Sequence, residues 1–355
     1  MNILWLNHRD PLNPKAGGAE RTIVEIGKRL ISQGDTVTIY SARWRGSTKF
    51  DTIEGINIIR LGGNIAIHFL LPVDLMRHKY SIIINDLGHG VPWPSAILLS
   101  KNNLVFFRHL HARSLPGQVN FFLGKIITFM EKLYPYIYSN TKIITESSTS
   151  QEDLIGLGIK NGNIIKIPPG VDLEFFHPGK KSNNVQLIYF GGIRKYKRPE
   201  LILDVYRQIK DVIKDLKIVV AGDGKLLSRI KEETISHKYN IEFVGKIDRE
   251  TLSELLRESW VNLHFSTTEG WGYSILEAAA SGTPTVAFKV PGVVDTIENN
   301  YNGFLVDQIE EFKERLLETI KKNIEFSKNS RAFAERFNWD STEELWRNII
   351  ASIIK

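Results

Sequence analysis

Two carboxylates eight residues apart, Glu269 and Glu277, flank the glycine-rich run EGWGYSILE. On one continuous helix, eight steps of about 100° would leave them roughly 80° apart around the axis. Gly270 and Gly272 oppose such a helix from the outset. The pattern predicts instead a loop ending near Gly272 and a helix starting near Tyr273 or Ser274. Glu269 then stands before the helix and Glu277 about one turn inside it. The amino end of that helix, with free N–H groups and a partial positive charge, lies between the two acids. That arrangement suits an anion such as a diphosphate with a hydroxyl-bearing group at either end. One solvated acid and one helix-dipole acid would explain either glutamate alone, but not the glycines between them.

Four other stretches carry candidate chemistry, each with a plainer alternative. GGIRKYKRPE (191–200) places Arg194, Lys195, Lys197 and Arg198 within five residues after a strand, as a phosphate clamp or a solvated basic turn. KAGGAER (15–21) puts Gly17 and Gly18 before the first helix, where their amides can approach a phosphate or simply form a tight turn. It matches neither GxGxxG nor a P-loop. VAGDGK (220–225) sets Gly222 and Gly224 at a strand end, where a turn explains them. FFRHLHARS (106–114) closes a strand with Arg108, His109 and His111, histidines able to bond a substrate or shuttle a proton, or in the case of one of them to serve as a satisfied structural histidine. No acid sits at ligand spacing from them, so a metal is not expected.

These residues need a scaffold, and the chain is long enough for two domains: 355 residues, 42% apolar and 24% charged. It has no cysteine, which removes disulfides and thiolate chemistry and fits a reducing compartment. The first residues read as a strand rather than a signal peptide, and no run of about 18 apolar residues marks a membrane span. The net charge of +6 is uneven, with 19 Lys and Arg against 12 Asp and Glu in residues 1–170 and 27 against 28 after it. The first half suits an anionic partner, a phosphate-bearing substrate or an anionic membrane surface, or equally a lysine-rich composition with no partner at all.

Strands at 2–7, 36–42, 56–61, 81–85, 103–107 and 142–145, with a helix whose apolar residues are Ile23, Ile26, Leu30 and Ile31, make a first α/β series. The Pro- and Gly-rich stretch around 167–178 reads as a linker, and a second series of strands and helices follows. The expected fold is α/β: two tandem Rossmann-like, doubly wound domains facing a cleft, with ligands beyond the carboxyl ends of the strands. The apolar segment 117–138 reads as an interfacial helix or, preferably, as a core helix with one wet edge.

At SxxEGWGYSILEAAASGTPTVA the sequence resembles the family 4 retaining glycosyltransferases, whose fold is the two-domain GT-B. GGAER, TESSTSQEDLIGLGI (145–159), IPPGVDLEFF (167–176), the basic loop and NNYNGFLV (299–306) extend the resemblance over nearly the whole chain. It implies an acceptor-side domain over 1–166, a nucleotide-sugar-binding domain over 167–340, and a last helix, about 341–355, returning to the first domain. By the same resemblance, Gly17 and Gly18 approach the donor's diphosphate and Lys197 neutralises its β-phosphate. Gly270, Trp271, Gly272, Tyr273 and Ser274 offer backbone N–H groups, with Gly222 and Gly224 nearby. Glu277 holds the ribose, Glu269 faces the transferred sugar, and the main chain at Ile247 reads the base. The family's catalytic histidine falls on Arg108, His109 or His111, with His111 preferred and His109 second. Gly192 stands where the family's basic loop carries an arginine, and Arg194 is expected to replace it. No cofactor or metal is expected. The implied partners are a nucleotide sugar and a glycan or lipid-linked glycan acceptor, without nucleic acid. The implied location is the cytoplasm, including the inner face of the membrane. A GT-B epimerase, a pyridoxal-dependent phosphorylase and a non-catalytic sugar-nucleotide-binding protein are the alternatives.

Overall fold

The computed structural model describes residues 1–113 and 121–354. The chain forms two units, Met1–Gly170 completed by the residues from Trp339 onward, and Val171–Asn338. The first break lies at the end of Pro168-Pro169-Gly170, four residues beyond the expected boundary, and the second two residues before it.

The first unit is built on eight strands: β1 (Asn2–Leu6), β2 (Thr36–Ser41), β3 (Phe50–Ile53), β4 (Ile56–Arg60), β5 (Ile82–Asp86), β6 (Asn103–Phe107), β7 (Lys142–Thr145) and β8 (Ile164–Lys166). Their order is β3-β4-β2-β1-β5-β6-β7-β8, and every pair is parallel except β3 with β4. The central strands are continuous apolar runs because helices cover both faces. β3 and β8 were not expected. β3 is an exposed edge strand, joined to β4 through Glu54 and Gly55, both at positive φ (49° and 78°) as a two-residue hairpin turn requires. β8 is only three residues long. The added strand makes the one ending in Phe107 the sixth of this unit.

The last helix, Trp339–Ile354, completes the same core. Its Trp346 stacks on Trp5 at 5.2 Å and meets Phe106 edge-on at 4.8 Å.

The second unit holds six strands, β9 (Gln186–Phe190), β10 (Lys217–Ala221), β11 (Ile241–Gly245), β12 (Val261–His264), β13 (Thr285–Phe288) and β14 (Gly303–Val306). They are all parallel, in the order β11-β10-β9-β12-β13-β14. Each unit is therefore doubly wound. The strand order reverses between β1 and β5 in the first and between β9 and β12 in the second. Ligand crevices of such sheets open at these points, beyond the carboxyl ends of the strands.

The segment 117–138 departs from the core reading, although residues 117–120 lie outside the described residues. Helix Phe121–Glu131 buries Ile127 and Glu131 and turns Phe122, Leu123, Ile126 and Phe129 to solvent. Uniform apolarity around the helix concealed how little of it the sheet can cover.

Candidate active site

In the second unit, every residue singled out for the donor follows the carboxyl end of one of four adjacent strands. Arg194 precedes and Lys197 ends a short 3-10 turn after β9, Gly222 and Gly224 follow β10, Ile247 follows β11, and Glu269 to Glu277 follow β12. Helix Tyr273–Ala280 starts where the glycines predict. Gly272 precedes it at φ 92°, a left-handed conformation that side-chain-bearing residues rarely adopt. A Cβ there would also stand 3.1 Å from Thr296 Oγ1. A glycine in this place supplies no side-chain acceptor to the helix start, so the positive end of the helix keeps its capacity for an external anion. Glu277 is buried one turn inside. Trp271 is buried as well, its ring edge-on to Phe337 at 5.5 Å, so this residue can offer a ligand only its backbone.

Lys197 and Glu269 meet where the order reverses, one from β9 and the other from β12. Three donors converge on a single oxygen of Glu269. Lys197 Nζ is hydrogen-bonded to Oε1, His264 Nε2 lies 3.1 Å from it, and Ser266 Oγ donates at 2.5 Å. The other oxygen, Oε2, accepts no hydrogen bond from the described residues. Burial alone would raise the Glu269 carboxyl. The charge of Lys197, with the hydrogen bonds from His264 and Lys197, outweighs burial and holds it far below the usual carboxylate range. Lys197 is correspondingly raised, since its attraction to Glu269 exceeds the cost of burial. His264 is lowered by desolvation first, although Glu269 opposes the shift, and so stays neutral.

The remaining candidates of this unit divide. Arg194 is exposed, and its guanidinium makes no ion pair with a described residue. Arg198 faces inward, donating to Phe265 O at 2.7 Å and lying 4.0 Å from the Phe288 ring centroid, which assigns it to structure. Gly222 and Gly224 have a packing reason of their own. A Cβ on Gly222 would stand 1.9 Å from Gly191 O, and one on Gly224 2.3 Å from Ile193 O. These glycines let the turn after β10 press against the turn after β9, and so fix the backbone that leads to Lys197.

In the first unit, Gly17 caps helix Gly18–Ser32, and its amide donates to Glu20 Oε2 at 2.7 Å. A phosphate approaching Gly17 must compete with that carboxylate. Of the three candidates for the catalytic histidine's place, Arg108 is buried and structural. It pairs with Asp86 (3.0 Å) and Glu146 (3.1 Å) and donates to Ala19 O (2.8 Å). His111 lies with Nε2 3.0 Å from Gly88 O and Nδ1 3.5 Å from Glu131 Oε1, and its backbone amide donates to Glu131 at 2.6 Å. His109 stacks on it at 4.7 Å.

The structure adds residues that the sequence reading passed over. His8 follows β1 and His89 follows β5, on the two sides of the reversal point, with ring centroids 5.5 Å apart. His8 Nε2 lies 2.9 Å from His68 Nε2, and Trp93 stacks on both rings. Desolvation, with help from neighbouring charges, pulls His89 down to about 3 and His8 well below its usual value. Both are therefore neutral at physiological pH, able to exchange hydrogen bonds without carrying charge. His89 stands between glycines in the loop after β5, a signal the sequence did offer. His68 lies within a helix and gave none.

His8 and His89 help line a cavity of about 490 Å³ that also presents Arg9, Lys15, Arg43 and Arg45 but no acid. Its walls are held by one buried acid. Asp10 accepts from Arg60 at 2.8 and 2.9 Å, from Ser41 Oγ at 3.0 Å and from Trp44 Nε1 at 3.3 Å, tying together the ends of β1, β2 and β4. Burial raises the Asp10 carboxyl, but the hydrogen bonds and charge of Arg60 win and lower it. Among the described residues, no group of three or more His, Asp or Glu is placed to hold a metal ion.

Comparison with known proteins adds a second line. The pattern "Glycosyl transferases group 1" matches residues 171–337, and "Glycosyltransferase Family 4" matches residues 16–175. An uncharacterized glycosyltransferase of Haemophilus influenzae is 25% identical over 354 residues, covering 94% of this chain and 96% of its own. A solved glycosyltransferase from Rickettsia africae superposes with a TM-score of 0.81 at 19% identity, over 99% of this chain and 98% of its own. HepE of Anabaena, solved with UDP and glucose, superposes at 0.74 with 17% identity, over 99% of this chain and 100% of its own.

Proposed function

This chain belongs to family 4 of the glycosyltransferases, with the GT-B fold, and from that premise we propose that it moves a hexosyl group from a nucleoside-diphosphate sugar to an acceptor hydroxyl with retention of the anomeric configuration. The observation that carries this reading is the Lys197–Glu269 pair beside an uncapped helix start, with Glu269 Oε2 left open. In the reaction the bond from the anomeric carbon to the diphosphate oxygen breaks, and the diphosphate leaves with the electron pair. The acceptor oxygen bonds to the same carbon on the same face, and its proton passes to the leaving phosphate. Positive charge develops on the sugar and negative charge on the diphosphate. The amino end of helix Tyr273–Ala280, Lys197 and Arg194 would stabilise the leaving group by standing ready in place. Glu269 Oε2 would accept hydroxyls of the transferred sugar, and Glu277 those of the ribose. The solved Anabaena structure, which holds UDP and glucose, supports a donor of this class.

The acceptor would bind in the first unit, with His111 and His109 near the reacting hydroxyl. The cations around the 490 Å³ cavity favour an acceptor that carries phosphate or pyrophosphate, as a lipid-linked glycan does. A thermal-shift panel of nucleoside diphosphates and their sugars tests the reading. One base should raise the melting temperature, and Lys197→Ala and Arg194→Ala should both weaken that effect. No response to any of them would overturn the assignment, and loss in Lys197→Ala alone would remove Arg194 from it. Product analysis with and without acceptor completes the test, because an epimerase would convert the donor with no acceptor present.

A further inference from the structure

The backbone around Glu269 is held from two sides. Its amide donates to Pro291 O at 3.0 Å, and Gly292 passes so close to Glu269 O that a Cβ there would stand 2.2 Å from it. The residues just before it are tied to the turn after β9. Thr267 N donates to Tyr196 O at 2.9 Å, and Arg198 Nε donates to Phe265 O at 2.7 Å. The freedom left to matter is rotation of the carboxylate about its last bond, which would exchange Oε1 for Oε2 or let Lys197 bridge both. Three donors on Oε1 oppose that rotation, and each comes from a different place in the chain. Lys197 reaches it from the turn after β9, Ser266 from the loop before Glu269, and His264 from the last position of β12.

Packing does not call for an imidazole at 264. β12 is buried along its whole length between β9 and β13, a place suited to an aliphatic side chain. The His264 side chain is only 5% exposed, and its Nδ1 is buried with no hydrogen-bond partner among the described residues. Burying a bare ring nitrogen costs stability, so the reason for the residue lies in what Nε2 does. An ionised carboxylate oxygen only accepts, so Nε2 carries the hydrogen and the neutral ring leaves Nδ1 bare. The other tautomer would set a lone pair against Oε1 across 3.1 Å. We propose that His264 is a positioning residue for the transfer, its Nε2–H locking the Glu269 carboxylate with Oε1 held inward and Oε2 free for the hydroxyls of the transferred sugar. This rests on the nucleotide-sugar reading above. It divides the donor in two: the diphosphate, bound through Lys197, Arg194 and the helix start, does not sense His264, whereas the hexose does.

Two measurements test it, and the first needs no substrate. In full-length protein carrying isotope-labelled histidine, the His264 signals are identified among the nine histidines by comparison with His264→Gln. Their nitrogen shifts at neutral pH should show Nε2 protonated and Nδ1 bare. A proton on Nδ1, in either the other tautomer or the imidazolium, overturns the proposal. The second is calorimetric titration with UDP, GDP and ADP and with their hexose derivatives, followed by transfer kinetics. His264→Leu should leave affinity for the nucleoside diphosphate unchanged. It should weaken affinity for the hexose derivative and lower kcat, each by about ten-fold or more, the usual worth of a hydrogen bond to a charged group. His264→Gln places an amide N–H where Nε2 stands and should recover most of that loss. Equal loss in the two variants, or diphosphate affinity falling as far as that of the hexose derivative, would mark a packing role and overturn the proposal. So would wild-type kinetics in His264→Leu. Should His264→Leu fail to fold, the nitrogen shifts decide alone. A ring protonated at Nε2 in a protein that binds none of these nucleotides would refute the transferase reading and leave the lock on Glu269 standing.

Discussion

Replacing Glu269 by glutamine should tighten the binding of a free nucleoside diphosphate while lowering turnover. In the absence of ligand, the Lys197 ammonium is engaged by Glu269 Oε1, and a phosphate must share it with that carboxylate. Glutamine keeps the shape and can still accept from Lys197, Ser266 and His264, but carries no charge. The two side chains are 17% and 15% exposed, between the surface pairs worth about 0.2–1 kcal/mol and the buried pairs whose disruption costs about 3–5 kcal/mol. Releasing the lysine should therefore improve diphosphate affinity by about 1–2 kcal/mol, roughly 5- to 30-fold. Because the pair is mostly shielded, the gain should survive moderate salt. Isothermal titration of wild type, Glu269→Gln and Lys197→Met with the nucleoside diphosphate picked out by the thermal-shift panel measures it. Transfer should fall in Glu269→Gln, since the sugar loses its charged acceptor at Oε2. Unchanged or weaker diphosphate binding in Glu269→Gln would refute the view that Lys197 is held for the phosphate by this acid.

Glu277→Ala should raise the donor KM, whereas His111→Ala should mainly lower kcat, and the reverse pattern in steady-state kinetics would contradict the roles given to them. Arg60→Met should lower stability in urea unfolding by about 3–5 kcal/mol, because it leaves Asp10 buried without its cation. Gly222→Ala should cost about 2 kcal/mol or more in the same assay, with its Cβ driven into Gly191 O at a φ of 143°. Glu269 is lowered in the folded state, so its contribution to stability is full above the unfolded carboxyl value of about 4.3 and fades as pH falls below it. Glu269→Gln should flatten the acid limb of a melting-temperature profile in that window.

The second unit's site could be read from the sequence because its signals are local. Glycines at 270 and 272, alanines at 278–280 and a cluster of cations at 194–198 each state a backbone or charge requirement within a few residues. What they could not state is which partner each cation takes. Arg198 and Lys197 are neighbours in a basic run, yet one spends its guanidinium on Phe265 O and the other meets Glu269. The first unit was harder for the same reason. Arg108 looked like a cleft residue, but its meaning lies in Asp86 and Glu146, 22 and 38 residues away. His8 and His89 come together only because β5 pairs with β1, a fact of strand order and not of spacing. The apolar run after residue 120 shows the limit from the other side, since composition gives the apolarity of a helix but not how much of it the sheet covers.

Trp346 fills the space over Trp5 and Phe106, so the first sheet reaches its finished interior only when the final stretch of polypeptide arrives. On the ribosome, the 176 residues from Gly170 to Trp346 take about 10–35 s to make. During that interval the early-made strands carry an uncovered tryptophan, while Val171–Asn338 has its own interior and can fold as soon as it emerges. A premature stop anywhere before residue 346 leaves Trp5 and Phe106 without that cover, although every strand of the first sheet has been made.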